Sequence, residues 1–428
     1  MIRTTDRHFK FDWISIILFI ALMLFGLFNI ASASQGGEVL DWTNLDKPYT
    51  KQLLFIVLSV ILIIILLSLE SKFYERFSSI IYVASMLSLV GLFIFGKNVN
   101  GATSWYGIGG MTLQPSEFAK AATALAIAKY ISDLNTDIKQ LKHQFNLLLL
   151  LCIPALLIVL QKDAGSALVY GAFAFVLYRE GLPQNYLHSV FLLIIVAIVT
   201  LKFGIMVAGL VAISIISTKL LVFSKKKKRK QISKILGLSI LYIGIAFAIN
   251  YTFTELLPPH QKDRITIWLS LEKDPEKLER MKKLEAYNLN ESEKAISSGG
   301  FSGKGFLQGT RTTGNFVPEQ HTDYIFSTVG EEWGFLGSIA VVIVFVMLML
   351  RILFLAEKQK NIFSRIYGYS VASILFFHFL INIGMVMGLI PTIGIPLPLF
   401  SYGGSGLWGF TILVFIFIKL DSNRINEW

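Results

Sequence analysis

Cysteine occurs once in the 428 residues, as Cys152 inside an apolar run, so the chain can close no disulfide framework and cysteine usage does not fix a redox compartment. Cys152 reads as a packing residue. Charge is also scarce: Asp, Glu, Lys and Arg together make 16% of the chain, against roughly 25% in soluble domains. With 54% hydrophobic residues and a mean hydropathy of +0.62, an ordinary soluble domain is excluded and an integral membrane protein is indicated. No His/Cys cluster has the look of a zinc site, so any metal would be a hard cation with oxygen ligands. No cleavable signal pattern precedes residues 13–33, which are long enough to span by themselves and are expected to form a retained first helix.

What is abundant is apolar sequence in runs of membrane length, about 20 residues with some tolerance. Such runs cover 13–33, 53–69, 77–95, 118–131, 145–160, 164–178, 186–200, 203–223, 235–253, 335–353, 366–390 and 407–418, twelve in all. The expected fold is therefore an all-α polytopic membrane protein of about 12 transmembrane helices in one domain, 1–428. The weakest part is 186–223, where Lys202 and Gly204 interrupt the apolar pattern and a hairpin competes with one bent segment. Lys and Arg in short loops orient the chain. A cytoplasmic N-terminus puts Arg3, Arg7, Lys10, Lys72, Arg76, Lys139, Lys142, Arg179, Arg351, Lys358, Lys360, Arg365, Lys419 and Arg424 inside, together with the run Lys225-Lys226-Lys227-Lys228-Arg229-Lys230. The opposing loops hold only Lys47, Lys51, Lys97, Lys162 and Lys202. Both termini are thus expected in the cytoplasm, provided that 186–223 crosses twice. The run Lys225 to Lys230 suits anionic lipid headgroups rather than a nucleic acid.

On this orientation the outer face receives four unusual segments. The first, 98–115, carries Trp105 and Tyr106 among glycines and leads through Gln114-Pro115-Ser116-Glu117 into a helix on which Glu117 and Lys120 share a face. An aromatic anchor plus a helix start would explain it equally. The second is the corner Gln161-Lys162-Asp163-Ala164-Gly165, where Asp163 can cap the next helix, hold a cation or polarise a sugar hydroxyl. The third is a long loop, 254–333. It contains Arg264, a charged stretch over 272–294, the glycine-rich 299–310 with Lys304 and nearby Arg311, and then Glu319, His321 and Asp323. Glycine-rich backbone beside cations can approach a phosphate, and a carboxylate at a membrane boundary is costly without a role. The fourth, 388–406, holds three prolines and five glycines in 19 residues, cannot continue a helix, and is expected to be a re-entrant loop flooring an outer cavity.

In order and spacing, Gln114-Pro115-Ser116-Glu117, Gln161-x-Asp163-x-Gly165, His321-Thr322-Asp323-Tyr324-Ile325-Phe326 and Pro396-Leu397-Pro398-Leu399-x-Ser401-Tyr402-Gly403-Gly404-Ser405 resemble the SEDS family of bacterial cell-wall proteins. Gly384-Met385 and Gly394-Ile395-Pro396 resemble its elongation-type, RodA-like branch rather than the division-type, FtsW-like one. The resemblance covers nearly the whole chain. It implies a peptidoglycan glycosyltransferase that polymerises lipid II at the outer face of the cytoplasmic membrane, with a class B penicillin-binding protein transpeptidase and other elongation-complex membrane proteins as partners. It further implies that the essential loop aspartate is Asp323, the corner aspartate Asp163, the loop tryptophan Trp105, and the Glu and Lys of the fourth span Glu117 and Lys120. Three departures stand out. Lys162 replaces a usual proline, Ser104 stands where arginine often precedes the tryptophan, and an apolar hairpin over about 186–234 adds to the family's usual ten spans.

Such a reaction needs a base, stabilisation of the leaving charge and slots for lipid tails. The resemblance makes Asp323 the base, with His321 and Glu319 as modulators or loop hydrogen-bonders. Arg264, Lys304, Arg311, Lys120, or a divalent cation (Mg or Mn) held by Asp163 would face the pyrophosphate, and Ser401, Gly403 and Gly404 would border the site. A lipid-linked-precursor flippase and a scaffold that only activates a transpeptidase are the competing readings.

Overall fold

The computed structural model describes residues 11–424 apart from Glu38, Asn100, Gly110, 224–227, Pro258 and Glu285. Lys225, Lys226 and Lys227 of the basic run lie outside the described residues, as do the side chains of Lys228, Arg229 and Lys230.

Helices α1 (Trp13–Gln35), α2 (Pro48–Ser68) and α3 (Ser71–Phe95) open the chain. Asp12 caps α1 by accepting from the Ser15 N–H at 2.9 Å, and Gly36 ends it in the left-handed region, φ 60°. The expected helical membrane fold is observed, with one addition: over 97–113 a small antiparallel sheet of β1 (Lys97–Val99), β2 (Ala102–Ile108) and β3 (Met111–Leu113) in the order β1-β2-β3. Gly101 and Gly109, both with φ positive, make the turns, so the glycines that suggest a loop are in fact hairpin punctuation. Pro115 then starts α4 (Pro115–Ser132), followed by α5 (Leu141–Leu160), the short α6 (Ala164–Leu168) and α7 (Phe173–Arg179). After these come α8 (Gln184–Phe203), α9 (Ile205–Phe223), α10 (Lys228–Tyr251), α11 (Pro259–Leu269), α12 (Pro275–Leu284), α13 (Tyr287–Ser298) and α14 (Thr310–Thr313). The chain closes with α15 (Ile325–Glu357), α16 (Ile362–Val386) and α17 (Gly404–Ser422).

Helix thus occupies all twelve apolar runs. Among the described residues nine helices are long and apolar enough to cross a membrane, while Ala164–Arg179 and Ile205–Thr218 are shorter apolar helices. Helix α4, which covers the fourth run, is not among the nine and carries Glu117, Lys120 and Lys129. The chain is a multi-pass membrane protein, in which nine helices qualify by length and hydropathy among the described residues.

The chain forms two compact units, Met1–Leu182 with Glu291–Trp428, and Pro183–Asn290. In the second unit α8 and α9 are separate helices packed on each other, broken at Gly204 with φ 88°, which favours the hairpin over one bent segment. They share with α10 their own apolar cluster of Leu192, Val196, Ala208, Ala212, Ile216, Tyr242 and Ala246. The long loop is divided as well: 254–290 belongs to this unit and 291–333 to the other.

In the larger unit α4, α16 and α17 form the interior, with α2, α3 and α15 against them. The buried alanines of α4, including Ala119, Ala122, Ala124 and Ala128, let its neighbours approach closely. Helix α15 is broken at Gly334, φ 62° and ψ −158°. The break frees backbone groups, and the glycine-rich segment supplies their partners. Lys304 N–H donates to the Glu331 carbonyl at 3.1 Å and Gly305 N–H to that of Glu332 at 2.9 Å, while Phe335 and Leu336 donate to the carbonyls of Gly300 and Phe301 at 2.9 and 3.1 Å. This backbone-on-backbone docking explains the glycines. A Cβ on Gly299 would lie 2.0 Å from the Gly330 carbonyl oxygen, one on Gly303 2.2 Å from that of Glu332, and one on Gly334 2.3 Å from the Gly303 nitrogen.

The Glu331 carboxylate, fully buried, completes the junction. It accepts from Lys304 Nζ at 2.6 Å, from the backbone N–H of Arg311 at 2.9 Å and from both N–H and Oγ1 of Thr312 at 2.8 Å. Gly303→Ala should therefore lower stability by about 1–3 kcal/mol through overpacking. Gly244→Ala on α10, with open space around the new methyl, should not lower it. Thermal unfolding in detergent measures both, and equal behaviour of the two variants would contradict the close approach.

Candidate functional site

The four unusual segments meet in the larger unit, and hydrogen bonds between them define the site. The Pro/Gly segment after α16 is irregular and buried at Ile395 and over 397–401, with Gly388, Gly394, Leu399 and Gly403 all at positive φ. Its backbone is held by side chains rather than by a ladder. Ser401 Oγ accepts from the Leu397 N–H at 2.9 Å and donates to the Thr322 carbonyl at 2.7 Å. The Tyr402 N–H donates to the His321 carbonyl at 2.9 Å, and the two rings lie 5.5 Å apart. Gly403 N–H donates to Gln52 Oε1 at 3.1 Å, and a Cβ on Gly404 would press on the Phe55 ring at 3.0 Å. Ser401, Gly403 and Gly404 thus border the His321–Asp323 segment or the α2 residues beside it.

Asp323 is half-buried at the point where this contact is tightest. A Cβ built on Gly394 would stand 3.2 Å from its Oδ2, so the carboxylate rests against a residue that has no side chain. The next residue, Tyr324, shares a 3.0 Å hydrogen bond between its hydroxyl and Thr392 Oγ1. Burial lowers the His321 pKa, an effect partly offset by the nearby Glu319, so the imidazole beside this carboxylate segment is held toward its neutral form. Burial likewise raises the Tyr402 hydroxyl above its ordinary value.

The Asp163 corner reaches the same strip of backbone from the other side. Asp163 caps α6, accepting the Ser166 N–H at 3.0 Å on Oδ1 and Ser166 Oγ at 2.8 Å on Oδ2. Oδ2 also accepts from Gln114 Nε2 at 2.9 Å. Gly165 packs its backbone on Ile393 and Ile395, the residues that flank Gly394. Gln114 N–H donates to Ser405 Oγ at 3.0 Å, which in turn donates to the Thr112 carbonyl at 3.2 Å. Residues 112–117, 161–166, 321–324 and 393–405 are therefore one connected structure. Trp105 lies half-buried on β2, two residues from Thr103, whose N–H donates to the Gln161 carbonyl at 3.1 Å. Among the described residues no group of three or more His, Cys, Asp or Glu side chains is placed to hold a metal, so a cation at Asp163 would have fewer than three such ligands.

The candidate cations are placed differently from one another. Lys120 is buried in the helix interior, with its Nζ 2.8 Å from both oxygens of Glu117 and 2.8 Å from His378 Nε2. Phe410 covers it at 5.2 Å. Lys304 is bound to Glu331, and Arg311 to Glu291, so the glycine-rich segment turns both cations toward carboxylates of its own unit. Its backbone N–H groups at residues 304 and 305 are spent on α15 rather than left for a phosphate. Arg264 lies in α11 of the second unit, whereas Asp323 lies in the first.

Two polar residues on α16 complete the site and are not evident from motif reading. His378 Nδ1 lies 3.4 Å from the Pro396 carbonyl, joining Lys120 to the Pro/Gly segment. Asn382, fully buried, donates to the carbonyls of Asp323 and Ile395 at 2.8 and 2.7 Å. Their spacing of four residues within the otherwise apolar second half of α16 was the available signal, since it puts both on one face.

Comparison with known proteins finds relatives along nearly the whole chain. The family model described as "Cell cycle protein", for FtsW, RodA and SpoVE, matches residues 12–210 and 206–426. The chain is 30% identical to peptidoglycan glycosyltransferase RodA of Treponema pallidum (strain Nichols), over 97% of this chain and 98% of that protein. It is 29% identical to peptidoglycan glycosyltransferase MrdB of Escherichia coli (strain K12), over 92% of this chain and 88% of that one. In fold it resembles a chain of a peptidoglycan synthase complex that coordinates polymerization and crosslinking, with a TM-score of 0.72 at 23% identity, covering 98% and 99% of the two chains. The rod shape determining protein RodA of Thermus thermophilus gives a TM-score of 0.62 at 22% identity with the same coverage. With its family model spanning almost all of the described chain, this protein belongs to the FtsW/RodA/SpoVE family.

Proposed function

We propose that the chain is a peptidoglycan glycosyltransferase that polymerises lipid II, with Asp323 as the general base. The observation that carries this reading is the position of the Asp323 carboxylate over Gly394, where the four motif segments join into one hydrogen-bonded structure. Family membership and the two glycosyltransferases that match along most of their length support the same activity.

The chemistry follows from a single displacement. An acceptor sugar hydroxyl forms a C–O bond to the anomeric carbon of the donor as the bond to the lipid diphosphate breaks. The diphosphate leaves with the electron pair, and the hydroxyl proton passes to the Asp323 carboxylate. Such a base contributes typically 10²–10⁴-fold. The absent side chain at Gly394 leaves space beside Oδ2, and Asp323 is partly buried. His321, kept toward its neutral form, adds no positive charge that would weaken the base. Asp163, tied by Gln114 to the same structure, is the proposed point at which a Mg or Mn ion would meet the diphosphate, with water and phosphate oxygens as its other ligands. Trp105, on the neighbouring sheet, is proposed to contact substrate.

Loop charge supports an orientation with both termini in the cytoplasm and the site on the outer face. A class B penicillin-binding protein transpeptidase is the proposed partner, since a fold neighbour belongs to a complex that couples polymerization to crosslinking. Anionic lipid at the run Lys225 to Lys230 and contacts with other elongation-complex membrane proteins belong to the same proposal. The buried Glu117, Lys120 and His378 would be the natural carriers for a flippase, but each already has a partner in the group.

Purified protein with its transpeptidase partner and lipid II should make glycan polymer, and Asp323→Ala should lower the rate by at least about 10²-fold. Polymer from the variant at the wild-type rate would contradict the base, whereas lipid II translocation without polymer would favour the flippase. Asp163→Asn retains an acceptor for the Ser166 cap and should leave the fold intact while slowing polymerisation. Its rate should also respond less to Mg than that of the wild type. Wild-type rates that stay flat across divalent-ion concentrations would remove the cation from the account.

A further inference from the structure

Asn382 bonds the backbone of Asp323 and the backbone opposite its carboxylate at the same time. Its amide nitrogen has two hydrogens, one directed to the Asp323 carbonyl at 2.8 Å and the other to the Ile395 carbonyl at 2.7 Å. Ile395 follows Gly394, the residue against which the Asp323 carboxylate rests. Asn382 itself is fully buried on α16, a regular helix. Both acceptors belong to irregular segments and the donor to a rigid element, so the amide anchors to α16 two segments that the Ser401–Thr322, Tyr402–His321 and Tyr324–Thr392 bonds hold only to each other.

The geometry is demanding in a way that a packing role would not be. Two carbonyl oxygens pointing at one buried spot repel each other, and only a group with two donors satisfies both. A hydrophobic side chain of the same size would leave both carbonyls buried without this partner, and a carboxylate would add repulsion. Gly394, with φ +82°, is the matching half: its backbone conformation and missing Cβ let Asp323 Oδ2 sit within 3.2 Å of where a methyl would be. The amide carbonyl of Asn382 is buried without a hydrogen-bond partner, so both of the side chain's observed bonds are those of its nitrogen to the two segments.

We infer that Asn382 is a positioning residue for the glycosyl transfer, fixing the Asp323 carboxylate at its working distance from the acceptor by bridging the Asp323 and Ile395 carbonyls. This rests on the reading of Asp323 as base. It acts through Asp323 and touches no substrate, so its loss should affect turnover rather than binding. Displacement of a reacting group by about 1 Å costs on the order of 10²-fold in rate.

The test uses the full chain with its transpeptidase partner and lipid II. Asn382→Leu, which has no donor, should lower kcat by about 10²-fold while the lipid II KM stays within about threefold. Asn382→His, which keeps an N–H donor, should recover part of that loss. A wild-type kcat in Asn382→Leu, with Asp323→Ala inactive, overturns this inference and leaves the base intact. Activity in Asp323→Ala overturns both. Parallel loss of kcat, lipid II binding and thermal stability, without recovery in Asn382→His, overturns the positioning role. If Asn382→Leu does not fold, Asn382→Ser, with one hydroxyl donor and no added bulk, takes its place; failure of both to fold assigns Asn382 to the scaffold and overturns the inference.

Discussion

Backbone that leaves helical geometry inside an apolar bundle must find a partner for every N–H and C=O it frees, and this constraint organises the larger unit. It operates at two places. At Gly334 the groups freed by the broken helix are taken up by residues 300–305, which approach so closely that only glycine fits at 299, 303 and 334. In the segment between α16 and α17 the partners are side chains: Ser401, Asn382 and Gln52 bond to backbone that no helix or sheet supports. The proposed site lies where the second solution also captures the chain just before α15, so that the carbonyls of His321, Thr322 and Asp323 all accept hydrogen bonds.

Charge follows the same logic. Buried ions at Glu117 and Lys120, and at Glu331 with Lys304, occur as pairs with additional hydrogen bonds, as low-dielectric surroundings require. The pairs sit on opposite sides of the Asp323 segment in the connectivity of the fold. Lys120 reaches the Pro/Gly segment through His378 and the Pro396 carbonyl. Glu331 reaches residue 320 through Thr312, whose carbonyl accepts from Gln320 Nε2 at 2.9 Å. Asp323 is thereby braced from two directions while its own side chain rests against the smallest residue in the loop.

Much of this was legible in the chain. The hydrophobic runs correspond to helices, Asp163 caps the helix that follows it, and the four polar segments meet. These features depend on local periodicity and on motif order. The small sheet over 97–113 was hidden because its strands are short and its glycines read equally well as loop. The roles of Lys304 and Arg311 were hidden for a different reason. Glycines beside cations suggest a phosphate cradle, but their function here is to fit a broken helix, and the carboxylates that hold those cations stand about one helical segment away in sequence. Asn382 and His378 were missed because a lone polar residue on an apolar helix says nothing of its acceptor until the facing backbone is placed.

Polymerisation by the proposed route depends on a single proton passing to a carboxylate whose place is set by two loops. The most direct measurement is the dependence of kcat on pH for polymerisation by the wild type and by Asp323→Glu. A base must be deprotonated to act, so the rate should fall as pH drops through its pKa, giving an acid limb that moves when the carboxylate is displaced by one methylene. An acid limb identical in the two proteins, or none in either, would contradict the assignment of Asp323 as base.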